Sequence, residues 1–118
     1  MAATANTIVK TVTIASGQSL SAELDLEGFK LVCILMPAAW DAAAITFQIS
    51  DVAGGTFLDA FDDAGVEISA TVDAARAVGF DDILPELSSV RFMKLRSGTS
   101  ATPVNQTASR TFKILAKT

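Results

Sequence analysis

The chain has 118 residues, with 9 lysines and arginines against 13 aspartates and glutamates, one cysteine, and neither histidine nor tyrosine. A chain of this length forms one compact domain by default, because two separate cores would each bury too little surface. Without histidine and with a single cysteine, the sequence excludes a histidine-assisted nucleophile, a Cys/His zinc site and an internal disulfide. Half of the residues are apolar and 19% are charged, which is typical of a packed chain rather than a disordered one.

No targeting signal is predicted at the N-terminus. Residues 1–7 have neither a basic nor an apolar stretch, so a secretory signal peptide is not predicted. The longest apolar run, 31–40, is interrupted by Pro37 and is much shorter than the roughly 20 residues of a membrane-spanning helix. We therefore expect a protein made in the cytoplasm with no membrane partner. Residues 1–6 are expected to form a flexible arm, and 7–118 a single domain.

Short β-type segments follow one another along the chain. Residues 7–14 are rich in threonine, valine and isoleucine, and 19–26 alternate apolar with polar residues, the period of a half-buried strand. A strand is predicted at 29–36, where residues 31–36 are apolar on both faces; this pattern indicates a strand covered on both sides, with an inert, buried Cys33 in its middle. Further strands are predicted at 44–50, 56–61, 66–72, 77–80, 89–97 and 111–117.

The segment 89–97 has a break in its alternation between Phe92 and Met93. This break predicts a β-bulge that leaves Lys94 and Arg96 exposed to solvent. Elsewhere, glycine-rich turns separate the strands, and no amphipathic helix of useful length is present. Together these patterns predict an all-β fold, an antiparallel β-sandwich of jelly-roll type with eight or nine short strands.

Charge is segregated along the chain. Every carboxylate lies at or before Glu86, whereas residues 87–118 contain six basic residues and no acid. A basic terminal third can indicate nucleic-acid binding. However, the whole chain is acidic, with a pI of about 4.6, and the basic part lacks the interleaved aromatic residues that stack on bases. We expect no nucleic-acid partner, and instead complementary charge between adjacent strands or adjacent subunits.

Few residues suggest chemistry. Asp59, Asp62 and Asp63 could bind calcium, but their spacing does not fit a calcium-binding loop, and an aspartate-rich turn is the simpler interpretation. The pair Asp81–Asp82 could act as hydrolytic acids, yet the sequence shows nothing that separates their pKa values. Trp40 is interpreted as an anchor of the core or of an interface. We predict no catalytic residue, metal site or cofactor, and no enzymatic activity.

One resemblance concerns the topology. The stretches AITFQISD (44–51), GGTF (54–57), DDAG (62–65) and VRFMKLRS (90–97) resemble segments of galactose-binding-like, discoidin-type jelly rolls. The resemblance covers about half of the chain. It implies the jelly-roll topology and transfers no sugar-binding residue.

A second resemblance spans most of the chain. The stretches GQSLSAELDL (17–26), MPAAWDAAAITF (36–47), LRSG (95–98) and PVNQ (103–106) are similar to a family of small proteins encoded among the head and tail genes of tailed phages and prophages. This similarity implies a structural role in the virion, with the protein made in the host bacterial cytoplasm. It brings no set of functional residues with it.

The second resemblance leads to one expected function and two alternatives. The expected function is that of a capsid decoration (cement) protein that binds the major capsid protein on the outer head surface as a homo-oligomer, with a trimer as the expected form. The alternatives are a tail or neck structural protein and a carbohydrate-binding module for host adhesion. Loops on a rigid sandwich and complementary charges are the expected contact points. The interface candidates are Trp40, Pro103, Arg91, Lys94, Arg96 and Arg110.

Overall fold

Every regular element in the described part of the chain is a β-strand. The structure is a computed structural model, and it describes residues 7–80 and 90–117. The predicted arm 1–6 and the pair Asp81–Asp82 lie outside these ranges. The strands are β1 (Thr7–Ile14), β2 (Leu24–Asp25), β3 (Lys30–Leu35), β4 (Ile45–Ser50), β5 (Leu58–Asp59), β6 (Ser69–Ala70), β7 (Ala77–Gly79), β8 (Phe92–Ser97) and β9 (Arg110–Lys117).

The strands form two antiparallel sheets. Sheet A has the order β1-β9-β3-β7, and sheet B has the order β2-β8-β4-β5, with β6 also paired to β4. Along the chain, β1, β2, β3 and β4 alternate between the two sheets, and β7, β8 and β9 alternate again. This winding between two packed sheets is that of a jelly roll. The structure therefore confirms the predicted antiparallel β-sandwich.

The core lies between the two sheets. Phe112 and Ile114 of β9 face Phe47 of β4 and Leu95 of β8, and all four side chains are fully buried. The ring of Phe47 also packs edge-on against Phe80, with centroids 6.2 Å apart. Burying a large apolar side chain stabilises a fold by roughly 1.5–3 kcal/mol. The alternation of these strands thus produces the sandwich directly.

The bulge predicted at Phe92–Met93 is not present. Strand β8 pairs with β4 without interruption, and Met93 and Leu95 alternate regularly towards the core. The bulge was predicted because Val90 and Phe92 were assigned to the core face. Val90 lies before the first residue of β8, so it does not indicate which face of the strand is buried. Arg96 is also buried rather than exposed, which reverses the other part of that prediction. The register shift lies instead in β3, where it pairs with β9.

Strand β3 is covered on one face only, contrary to the prediction for 29–36. Leu31 and Ile34 are buried in the core, whereas Cys33 and Leu35 are half-buried on the outer face of sheet A. The Cys33 thiol is free, and its predicted full burial was wrong. An apolar strand of this kind is typical of sheets covered on both sides.

The predicted strand 19–26 shrinks to Leu24–Asp25, and its phase changes at one polar residue. Ser21 is buried, whereas Ala22 is exposed. The Ser21 hydroxyl accepts a hydrogen bond from the Leu95 backbone N–H at 2.9 Å and donates one to the Ala22 carbonyl at 2.8 Å. Ser21 is buried because its hydroxyl forms hydrogen bonds with backbone groups, and a buried backbone N–H left without a partner would destabilise the fold.

Candidate interaction site

Arg96 is enclosed by acidic residues of its own chain. Its side chain is 6% exposed, and its guanidinium donates to Asp59 Oδ1 at 2.6 Å and to Glu67 Oε2 at 2.8 Å. The Arg96 Nε donates to Thr46 Oγ1 at 3.0 Å. Two carboxylates and a hydroxyl thus use this side chain internally. It fastens β5 and the β5–β6 loop to β8, and it offers no free charge to a partner.

Arg110 has the same internal role at one end of the sandwich. It is 10% exposed and donates to Asp41 Oδ1 at 2.8 Å, while its Nε donates to Gln106 Oε1 at 3.1 Å. Gln106 is fully buried, and its Nε2 donates to Ser97 Oγ at 2.7 Å. The backbone N–H of Thr107 donates to Asp41, and this bond, more than the Arg110 contact, lowers the pKa of the Asp41 carboxyl.

Arg91 and Lys94 are the more accessible basic residues of the β8 region. Arg91 is 57% exposed and pairs with Asp25 at 2.9 Å. The hydrogen bond from Arg91 lowers the pKa of Asp25 and raises the pKa of Arg91 itself. The Lys94 ammonium lies 4.6 Å from the centroid of the Phe57 ring, a cation–π contact. Both side chains therefore hold neighbouring segments in place.

The two predicted contact loops differ from each other. The Trp40 ring packs edge-on against Phe112, with centroids 5.4 Å apart, and its Nε1 donates to the Ala43 carbonyl. Trp40 is therefore an anchor of the core, as one of its two predicted roles requires. Pro103 is exposed, and its backbone forms an isolated bridge with Gly98. Of the six interface candidates, Arg91 and Pro103 are exposed, Trp40 and Lys94 are half-buried, and Arg96 and Arg110 are buried.

The segregated charges meet within the chain. The basic residues Arg91, Arg96 and Arg110 pair with acids from the first 67 residues of the chain. This confirms the complementary packing expected between neighbouring segments. Sequence reasoning missed Gln106 and Thr46, which are fully buried polar partners in these networks. Their position in a polar loop and in an alternating strand gave no signal of burial.

Sheet A presents an outer surface that is both apolar and positively charged. We call it the basic face. Cross-strand register places Leu115 between Val9 and Cys33, and Leu35 beside Lys113. The strands of sheet A contain no acidic residue. The basic face consists of Val9, Thr11, Lys30, Cys33, Leu35, Lys113, Leu115 and Lys117.

A second apolar surface is negatively charged. The segment 51–67, here called the acidic segment, contains five acids and no lysine or arginine. Arg96 neutralises Asp59 and Glu67, and Asp62 accepts hydrogen bonds from backbone N–H groups of its own turn. Asp51 and Asp63 are exposed. Four large apolar side chains of this segment are at least half exposed: Val52, Leu58, Phe61 and Val66.

The described ranges offer little for small-molecule chemistry. An open groove of about 570 Å³ is lined in part by Ile49, Asp51, Leu58 and Arg91. Within residues 7–80 and 90–117, no group of three or more His, Cys, Asp or Glu side chains could hold a metal ion. Every buried side-chain nitrogen or oxygen in those ranges has a hydrogen-bond partner. No unsatisfied polar group there points to a missing ligand.

Comparisons with known proteins give no identity. No family model matches the chain, and no curated protein or solved structure is significantly similar to it. None of the described segments forms a helix long and apolar enough to cross a membrane. The candidate site therefore rests on two surfaces, the basic face and the acidic segment.

Proposed function

We propose that this chain is a structural protein of a tailed-phage particle, a capsid decoration protein that binds the outer surface of the head. The observation that supports this proposal best is the location of the exposed apolar side chains. All five large apolar side chains that are at least half exposed in the described ranges lie on the basic face or the acidic segment. Exposed apolar side chains within charged surroundings are typical of protein-binding surfaces.

The internal use of the polar residues supports the same proposal. The arginines that could bind a ligand are engaged by Asp25, Asp41, Asp59 and Glu67. The exposed apolar side chains that remain accessible suit contact with other proteins. The proposal accordingly assigns no catalytic residue, cofactor, nucleic-acid partner or membrane partner. A sandwich whose regular elements within 7–80 and 90–117 are all strands suits a module that transmits load across a shell.

Repetition supplies the stabilising effect in this proposal. A specific protein interface buries roughly 1,200–2,000 Å² in total. A decoration protein that contacts two neighbouring capsid subunits converts the second contact into an intramolecular event, which strengthens the whole by avidity. The major capsid protein is the partner, and the decoration protein acts as a homo-oligomer, with a trimer as the expected form. The shell then resists internal pressure better than its subunits alone.

Locating the protein in the particle tests the proposal. Virions of a phage that encodes this chain should contain it, and electron cryo-microscopy should show its sandwich at repeated positions on the outside of the head. Particles lacking the protein should lose DNA at lower temperature than complete particles. Density along the tail or neck alone would identify the first alternative. Absence of the protein from purified virions would reject the proposal entirely.

The carbohydrate-binding alternative loses its best candidate residue. Sugar sites commonly use exposed aromatic rings as stacking platforms, and Trp40 is packed against Phe112 instead. A glycan-array screen with the purified chain tests this alternative directly. The structural proposal expects no binding above background, and a specific hit would favour host adhesion.

A further inference from the structure

We propose that the basic face of one copy of this chain binds the acidic segment of the next copy. The contact is heterologous, because the two surfaces are different parts of one molecule. The inference goes beyond the proposed virion role and holds without it, since it concerns the isolated chain. It also specifies an interface that the expected oligomer by itself does not.

The first argument is strand β3, whose apolar side chains on the outer face are only half-buried. β3 has Cys33 and Leu35 on the outer face of sheet A, where β9 adds Leu115 and β1 adds Val9. Strands that are apolar on both faces normally lie in sheets covered on both sides. The described part of the chain covers only the inner face with core residues. A surface of this composition is stabilised when another molecule covers it.

The second argument is the distribution of exposed apolar side chains. Among the described residues, five large apolar side chains are at least half exposed: four belong to the acidic segment, and the fifth, Val9, belongs to the basic face. Burial of Leu58, Phe61 or Val66 against a sheet would remove from water the same kind of surface that β3 exposes. A contact between the two surfaces would therefore bury exposed apolar area of both at once.

The third argument is charge, and it selects the occupant. Lys30, Lys113 and Lys117 are exposed on the basic face, and no ion pair within the described residues uses them. Asp51 and Asp63 of the acidic segment are exposed and likewise unpaired within those residues. Opposite charges around an apolar centre fix orientation and disfavour the contact of two like surfaces. A second copy of this chain provides the required complement.

The geometry of such a contact determines the assembly. Each copy would use its basic face towards one neighbour and its acidic segment towards the other. Heterologous contacts close into a ring when the rotation permits and otherwise continue as a filament. A three-membered ring is the smallest assembly in which every copy has two different neighbours. A trimer, with a mass three times the chain mass of 12.3 kDa, is thus the smallest closed product of this contact.

Charge reversal tests the contact on the full-length chain. The face variant Lys113→Glu/Lys117→Glu and the segment variant Asp51→Lys/Asp63→Lys each place like charges opposite one another. Sedimentation velocity over a concentration series should show association of the wild-type chain, and a dissociation constant at least about tenfold higher for each variant. The fourfold variant exchanges the two charges and should recover most of the association.

Two controls separate this contact from general effects. Asn105→Glu/Ala108→Glu also introduces two glutamates, at exposed positions outside both surfaces, and should associate like the wild type. Raising the salt concentration from 0.1 M to 1 M shortens the Debye length from about 10 Å to about 3 Å and should weaken association. Far-UV circular dichroism and thermal unfolding establish that every variant is folded.

Cys33 provides a second readout on the basic face itself. Its thiol is half-buried in the single chain, so the rate of maleimide modification should fall several-fold as protein concentration rises into the associated range. A wild-type chain that remains monomeric at low salt would overturn the inference, as would association that both charge-reversed variants leave unchanged. Neither result depends on capsid binding, so a failure here is distinguishable from failure of the virion proposal.

Discussion

Arg96 helps to hold the acidic segment on sheet B, in addition to the backbone pairing of β5 with β4. It neutralises Asp59 and Glu67 from a nearly buried position, and removing one partner of a buried ion pair leaves the other charge uncompensated. We expect Arg96→Met to lower the free energy of unfolding by about 3 kcal/mol, measured by urea denaturation.

The matched control for Arg96 is two residues away on the same strand. Lys94→Met also removes one positive charge, but it loses only the contact with the Phe57 ring, worth about 0.5–1 kcal/mol. Adding Glu67→Gln to Arg96→Met should restore part of the lost stability, because one unpaired carboxylate is then neutral. Equal costs for Arg96→Met and Lys94→Met would contradict a structural role for the guanidinium.

Gly98 occupies a position where both the backbone conformation and the surrounding atoms disfavour any other residue. Its φ is +89°, and a Cβ there would lie 2.5 Å from the Thr102 carbonyl oxygen. Gly65 also has a positive φ, of +80°, but open space around it. Gly65→Ala should cost about 1 kcal/mol, from its left-handed backbone alone. Gly98→Ala should cost at least about 1 kcal/mol more, by thermal unfolding. Similar costs would show that the 98–104 loop moves to admit a methyl group.

The loop that follows β3 is attached to the sandwich by the aromatic side chain of Trp40 and by the polar contacts of Asp41. Trp40 packs on Phe112 and is also close to the network of Asp41, Gln106 and Arg110. Trp40→Ala should lower the free energy of unfolding by about 3 kcal/mol, the lower end of the range for buried aromatic truncation. Phe61→Ala is the control, because Phe61 is half exposed and should change stability by less than about 0.5 kcal/mol. Urea denaturation followed by circular dichroism measures both variants, and equal effects would refute the anchoring role.

The long strands were predictable from the sequence, and the short ones were not. The β-branched run predicted β1 with its observed ends, and alternation located β4 and β9 to within one residue. In contrast, β2, β5 and β6 are only two residues long. Their ends are set by the neighbouring strand with which each one pairs, and the local sequence does not identify that strand. Alternation reports the face of a residue but not where its partner strand ends.

The sequence predicted that opposite charges of this chain would be in contact, but not which residues would form the ion pairs. Segregation of acids and bases along the chain indicated complementary contacts, and the fold places three such contacts inside the molecule. The sequence could not distinguish Arg96, which is buried, from Lys113, which is exposed. Burial of a charged residue depends on acids contributed by distant segments, here Asp59 and Glu67, and local patterning contains no such information.

The distribution of charge over the whole molecule determines how its stability depends on pH. Hydrogen bonds from Arg91 and the Glu27 backbone lower the pKa of Asp25. Those from Thr107 lower the pKa of Asp41, and those from Arg96 and Gln48 lower the pKa of Asp59. A carboxyl with a lowered folded-state pKa stabilises the fold above its unfolded value, about 3.9. That stabilisation is lost as the pH falls through the folded-state pKa.

We therefore expect constant stability from pH 7 to about pH 5 and a progressive loss below about pH 4. The chain has no histidine, so no step is expected near pH 6.5. Urea denaturation at successive pH values measures the profile. Asp25→Asn keeps the side-chain oxygen but removes the titrating group, so its loss of stability on acidification should be smaller than that of the wild type. A wild-type stability that is constant or rises from pH 5 to pH 3 would show that these ion pairs contribute nothing to the fold.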